Sequence, residues 1–210
     1  MQAEKSIKVP ANNQSIAQRG MVFGVAVNDS PYLTEVTIDG KRHLCPAQRA
    51  WRDMLRRCFD DGYQERFPTY KGCKPCNEWL HFSNFLLWWE EKNKKGYQLD
   101  KDLIGDGKIY SPETCVYIPS WLNVFIQSAA SKENKLSTGA YQRKSGRYMA
   151  ICANSIDGGL SHLGTFDTES DAHAAWKTKK LEYALALKPK MDAIDSRIYN
   201  RVIQIIERMQ

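Results

Sequence analysis

The residues with the most chemical potential lie in one stretch, LDKDLIGDGKIYSPETCVYIPSWLN, at positions 99–123. Asp100 and Asp102 flank Lys101, and Asn123 lies downstream. A carboxylate and an Asn amide oxygen are hard donors that suit Mg²⁺ or Mn²⁺. Such an ion beside a phosphodiester stabilises the departing oxygen while a base or metal-bound water provides the nucleophile. Lys101 is the doubtful member, because an ammonium with a pKa of ~10.4 is a poor base at neutral pH. A nearby cation would lower that value, and the two flanking carboxylates would raise it. Lys101 then either works near the metal, as base or as stabiliser of phosphorane charge, or marks a core that no longer cuts.

These side chains need elements to hold them. A strand should end near Asp100, a GDG turn follows, and a second strand covers 115–118. Pro119 then starts a helix that carries Asn123 one turn in. Upstream, 21–27 and 33–38 read as short strands with a hairpin turn at Asp39-Gly40. A helix over 46–59 buries Trp51, Met54, Leu55, Cys58 and Phe59 at helical spacing. Its arginines, among them Arg52 and Arg56, are either a solvated face or a row of phosphate contacts. Residues 77–92 form an aromatic helix with a break near Ser83.

Cys58, Cys73, Cys76 and Cys115 are candidate ligands for a structural Zn²⁺, since Cys73-x-x-Cys76 has knuckle spacing. Separate buried thiols are the plain alternative. Cys45 or His81 could replace one ligand, and Cys152 belongs to a core.

Downstream of a polar linker at 127–138 the chain is basic, with Lys132, Lys135, Arg143, Lys144 and Arg147 against Glu133 between 131 and 150. Strand-like segments at 138–143, 147–153 and 160–166 precede a helix over 169–187 capped by Thr168 and Asp171, ended by Pro189. A last helix over 190–209 carries an Ile/Val/Met stripe that packs on its own chain or forms a dimer seam. Alternation puts Tyr141, Arg143, Arg147 and His162 on an exposed face, with Tyr148 a further candidate contact. Ala150, Cys152, Leu163 and Phe166 should pack against Trp176.

Through CPAQRAW, MLRRC and YSPETC the first part resembles the HNH family of nucleases, most closely phage-encoded homing-endonuclease-like members. The resemblance implies a ββα-metal core in which Asp100 matches the motif Asp, Thr114 the mid-motif Asn and Asn123 the helix ligand. Lys101 stands where the family has its general-base His. It also makes a cysteine-bound structural zinc plausible. Residues 138–183, through TGAYQRKSGRYMAIC and HLGTFDTESDAHAAW, resemble the Apetala-type (ethylene-response-factor) DNA-binding domain. That resemblance implies a three-stranded sheet entering the major groove with a helix bracing its back. Ile151 and Ala153 occupy positions where the plant domains carry polar readers.

The expected class is therefore α+β: a small HNH-like core with flanking helices, then a three-stranded antiparallel sheet on a helix, plus a C-terminal helix. A mobile N-terminus (1–20), a nuclease domain (21–126), the linker (127–138) and a DNA-binding domain (139–210) are the expected parts. Composition agrees with a polyanion partner without requiring one: 30 Lys and Arg against 24 Asp and Glu give +6 over 210 residues. No apolar run is long enough for a membrane span, and the polar N-terminus lacks a secretory core. The six cysteines then belong in a reducing cytoplasm, that of a host cell for a phage protein. The expected activity is metal-dependent cleavage of double-stranded DNA by a monomer or homodimer. The alternatives are an inactive DNA-binding derivative, or an inhibitor that grips a host protein through exposed Trp88 or Trp89.

Overall fold

A computed structural model describes residues 8–105, 107–127 and 136–210 as a mixed helix and sheet protein of the α+β type. It falls into two compact units that divide between Tyr117 and Ile118.

The first unit begins with helix α1 (Asn13–Ala17), capped by the Asn12 side chain. Residues 21–27 do not form the expected strand: Phe23 and Gly24 adopt φ of 52° and 72° and reverse the chain, so Val22 and Ala26 bond to each other. Arg19 fastens the following loop by donating to the carbonyls of Asn28, Ser30 and Tyr32. Strands β1 (Glu35–Ile38) and β2 (Lys41–Leu44) make an antiparallel hairpin. Its turn is Asp39-Gly40, both at positive φ (51° and 71°), the geometry that a two-residue hairpin favours.

Helix α2 (Pro46–Phe59) has the expected limits, with proline in its first turn. It buries Trp51, Met54, Leu55 and Cys58 against α4 (Phe82–Lys92). A short α3 (Asp61–Arg66) is capped by Asp60, and β3 (Lys74–Pro75) follows. The aromatic segment breaks at His81: a single 3₁₀ turn over Asn77–Leu80 precedes α4. Asp29 supplies what the break leaves open, accepting from the Ser83 backbone at 2.8 Å. Trp51 donates from Nε1 to the Trp79 carbonyl at 2.7 Å and lies 5.2 Å from the Phe82 ring. Trp88 and Trp89 are only 8 % and 3 % exposed. They are core, so neither offers the exposed ring that would favour a host-protein interface over 79–90.

Strand β4 (Tyr97–Asp100) shares a two-stranded sheet with β6 (Val116–Pro119), and β5 (Ile109–Tyr110) runs parallel to β3. The boundary between the units falls within β6.

The second unit starts with α5 (Ser120–Ile126), for which Pro119 is the N-cap residue. Strands β7 (Ala140–Gln142), β8 (Tyr148–Ala153) and β9 (Leu160–Phe166) form an antiparallel sheet in that order. Helix α6 (Glu169–Asp192) lies on one face of it, with Thr168 accepting from the Asp171 backbone at 3.1 Å. Pro189 does not end α6, which continues to Asp192 because Leu187 and Met191 stay buried on either side of the proline. Helix α7 (Ile198–Arg208) is shorter than expected and packs back on α6 through Ile198, Val202 and Ile206. Among the described residues no helix is long and apolar enough to cross a membrane.

Candidate active site and nucleic-acid face

Asp100 closes β4 and turns the chain. Its Oδ1 accepts from the backbone N–H groups of Asp102 (3.0 Å) and Leu103 (2.7 Å), a self-capped turn that fixes the carboxylate. Burial, and then the charge of Asp102, hold this carboxyl above the usual Asp range despite those two hydrogen bonds.

Lys101 points the other way. It is 4 % exposed, and its Nζ donates to Asp102 Oδ1 at 2.7 Å. The same ammonium lies 5.4 Å from the centre of the Tyr70 ring and 5.8 Å from that of Tyr110. An enclosed cation with a carboxylate partner and two ring faces is held in place rather than offered to a substrate. Asp102 is the outer end of this pair, with its side chain 67 % exposed. Of the two readings of Lys101, the geometry favours the one in which it neither serves as base nor stabilises a phosphorane.

Thr114 is likewise structural. Its Oγ1 donates to the Ile109 carbonyl at 2.7 Å and accepts from the Ser111 backbone at 3.1 Å, bracing the turn between β5 and β6. Gly105 fits against this brace with no room for a side chain: a Cβ there would stand 2.7 Å from the Lys101 carbonyl and 2.9 Å from Thr114 Cβ. Asn123 lies on α5 in the second unit, where its Oδ1 accepts from Gln127 at 3.1 Å.

Cys58, Cys73 and Cys115 are buried and Cys76 half-buried, all as free thiols. Burial pushes Cys58 and Cys115 up to about 12 and Cys76 up to about 11. Cys73 donates its S–H to the Gly107 carbonyl at 3.5 Å. Among the described residues no three His, Cys, Asp or Glu side chains group so as to hold a metal ion. That arrangement gives the expected structural zinc no support among the described residues. Asp100 offers one fixed oxygen of the kind a hard divalent cation takes, but no group of three such donors forms around it among the described residues.

Charge elsewhere has two settings. Arg56 is committed, pairing with Asp53 at 3.0 Å and covering the Tyr63 ring at 4.9 Å. Arg52 is exposed and lines a cleft with Arg49. In the sheet, Tyr141 faces Met149, Met149 faces Thr165, and Ile151 faces His162, so these side chains share the surface away from α6. Arg143, Lys144 and Arg147 are exposed around the β7–β8 turn. Arg143 reaches Thr165 Oγ1 at 3.4 Å, while Arg147 is held by Asp167 at 2.7 Å. Tyr148 belongs to the opposite face: it pairs with Phe166 and packs on Ala140, Ala150 and Ala172. It is half-buried there, on the face turned to α6 rather than on the outer face. Lys132 and Lys135 lie outside the described residues.

Met149 and Thr165 were missed by sequence reasoning, and only the cross-strand register reveals them. Tyr70 and Tyr110, the rings that enclose Lys101, also carry no local signal. No family model, curated protein or solved structure matches the chain.

Proposed function

We propose that the chain binds double-stranded DNA through the outer face of β7–β9, on a scaffold of HNH and Apetala-type ancestry. The observation that carries this is the register that gathers Tyr141, Met149, Ile151, His162 and Thr165 on the face away from α6, beside the exposed Arg143 and Lys144. A β-sheet of this kind places cations on phosphates and flat or apolar side chains against base edges. What supports the HNH ancestry is chain order alone: paired strands β4 and β6, then α5.

Fluorescence anisotropy with a labelled duplex tests the proposal. Arg143→Gln/Lys144→Gln should weaken binding about tenfold or more and make its salt dependence shallower, since each phosphate contact adds about 0.9 to the log–log slope. Unchanged affinity in a folded variant sinks it.

A second reading, metal-dependent cleavage of that DNA, is favoured by Asp100, whose carboxylate is preset by two backbone donors. A divalent cation held there would supply Lewis-acid stabilisation of the departing oxygen. Supercoiled plasmid with Mg²⁺ or Mn²⁺ should then be nicked by the parent protein and spared by Asp100→Ala, with DNA binding retained in both. An intact plasmid leaves the DNA-binding protein without nuclease activity.

A further inference from the structure

The first unit carries a cleft of about 520 Å³ whose walls are α2 and the β1–β2 hairpin, with the Arg19 loop at one end. Four arginines line it: Arg19, Arg42, Arg49 and Arg52. Two of them are already committed. Arg19 is spent on backbone carbonyls, and Arg42 is paired with Glu35 across the hairpin. Asp53, the other carboxylate of the lining, is paired with Arg56. Arg49 and Arg52 therefore have no acidic partner among the described residues.

They lie one turn apart on α2, where i,i+3 neighbours project from the same face. Gln48, in the first turn of the same helix, adds an amide to the lining. Two guanidiniums without an acidic partner among the described residues, with an amide beside them in a recess of this size, form a receptor for phosphate oxygens. Guanidinium is the group best shaped to bind them in pairs.

We propose that this cleft binds a phosphate group through Arg49 and Arg52, namely a phosphate of a nucleic-acid backbone. It is a second nucleic-acid contact, separate from the sheet face, and it rests on the DNA-binding reading only for the source of the phosphate. The helix row read as bland or functional from sequence thus divides: Arg56 is a structural cation, and Arg49 with Arg52 forms the site.

The test compares Arg49→Gln/Arg52→Gln with the charge-matched control Lys94→Gln/Lys95→Gln in the full chain, using duplex DNA and, separately, AMP and inorganic pyrophosphate. Loss of two phosphate contacts should make the salt slope shallower by about 1.8 and weaken binding about 10- to 100-fold at low salt. The control should change neither beyond a general charge effect. Arg49→Lys/Arg52→Lys, which keeps the charge, should recover part of the slope and covers any folding loss in the first variant. AMP or pyrophosphate binding that disappears in the Gln variant, with the DNA slope unchanged, assigns the phosphate to a free nucleotide and overturns the backbone source. Equal slopes for variant and control, together with no AMP or pyrophosphate binding by the parent, overturn the site itself. Failure of the sheet variants while the Arg49/Arg52 effect persists sinks the sheet proposal alone. A parent protein that binds no duplex overturns both nucleic-acid assignments.

Discussion

Lys101 carries two readings when judged from its neighbours in sequence. Between Asp100 and Asp102 it looks like a displaced catalytic base; in the fold its stem and ammonium fill a space bounded by Tyr70 and Tyr110, with Asp102 as its outer partner. Its value is then in packing and ring contacts. Lys101→Ala should cost about 2–4 kcal/mol in urea unfolding. Lys101→Met, which keeps the volume and leaves Asp102 hydrated, should cost under about 1.5 kcal/mol. Similar losses for both would return the weight to the charge. Asp100 makes the opposite prediction. Its carboxyl is held above the usual range by burial, so the protonated form is the one that the fold prefers. Such a group stabilises the protein fully below its unfolded pKa of ~3.9, and that contribution is lost as pH rises through the folded value. Asp100→Asn, which keeps the Oδ1 acceptor, should therefore be more stable than the parent at pH 7, with the gap closing below about pH 4. A chemical-denaturation series across that window decides it.

Elements were legible where a local rule had no competitor. Helix α2 was set by Pro46 and a clean apolar stripe, and the β1–β2 turn by Asp39-Gly40. The sheet β7–β9 followed from alternation between glycine turns. Reading failed where packing outweighed a local signal. Residues 21–27 are apolar enough for a strand, but Gly24 at φ 72° lets the segment fold on itself instead. Pro189 should stop a helix, yet it removes only one backbone bond near the end of α6, opposite the exposed Leu185. Pro189→Ala should accordingly raise the melting temperature, by about 1–3 kcal/mol of added stability. Gly139 behaves in the opposite way. At φ 81°, with the Trp176 ring 2.1 Å from where a Cβ would stand, it accepts no side chain. Gly139→Ala should lose about 2–4 kcal/mol from strain and overpacking combined. A near-neutral melt for that variant would mean that the sheet slides off α6 at little cost.

At the scale of the whole molecule, the linker signal and the packing give different divisions. Polar composition sets a boundary at 127–138, whereas α5 packs with α7, and its Phe125 ring covers the buried Lys180 ammonium at 3.9 Å. Burial holds that lysine below its usual range, so the ring is part of what keeps the cation tolerable there. A fragment of residues 118–210 should thus melt higher than one of 139–210, and Phe125→Ala in the full chain should cost about 3–5 kcal/mol. Equal melting of the two fragments would show that α5 adds nothing. No periodicity in seven residues of helix could have announced this partnership, since it depends on a lysine more than fifty positions away. The β1–β2 hairpin has a different consequence. Its strands are almost wholly exposed, and a two-stranded ribbon without a covering core opens readily. Its amides should trade hydrogen for deuterium far sooner than those of β8, and they wall the arginine cleft. The hairpin is thus a built-in clock: any occupant of the cleft is registered as a delay in deuterium uptake at Lys41–Leu44, with no dye or label attached.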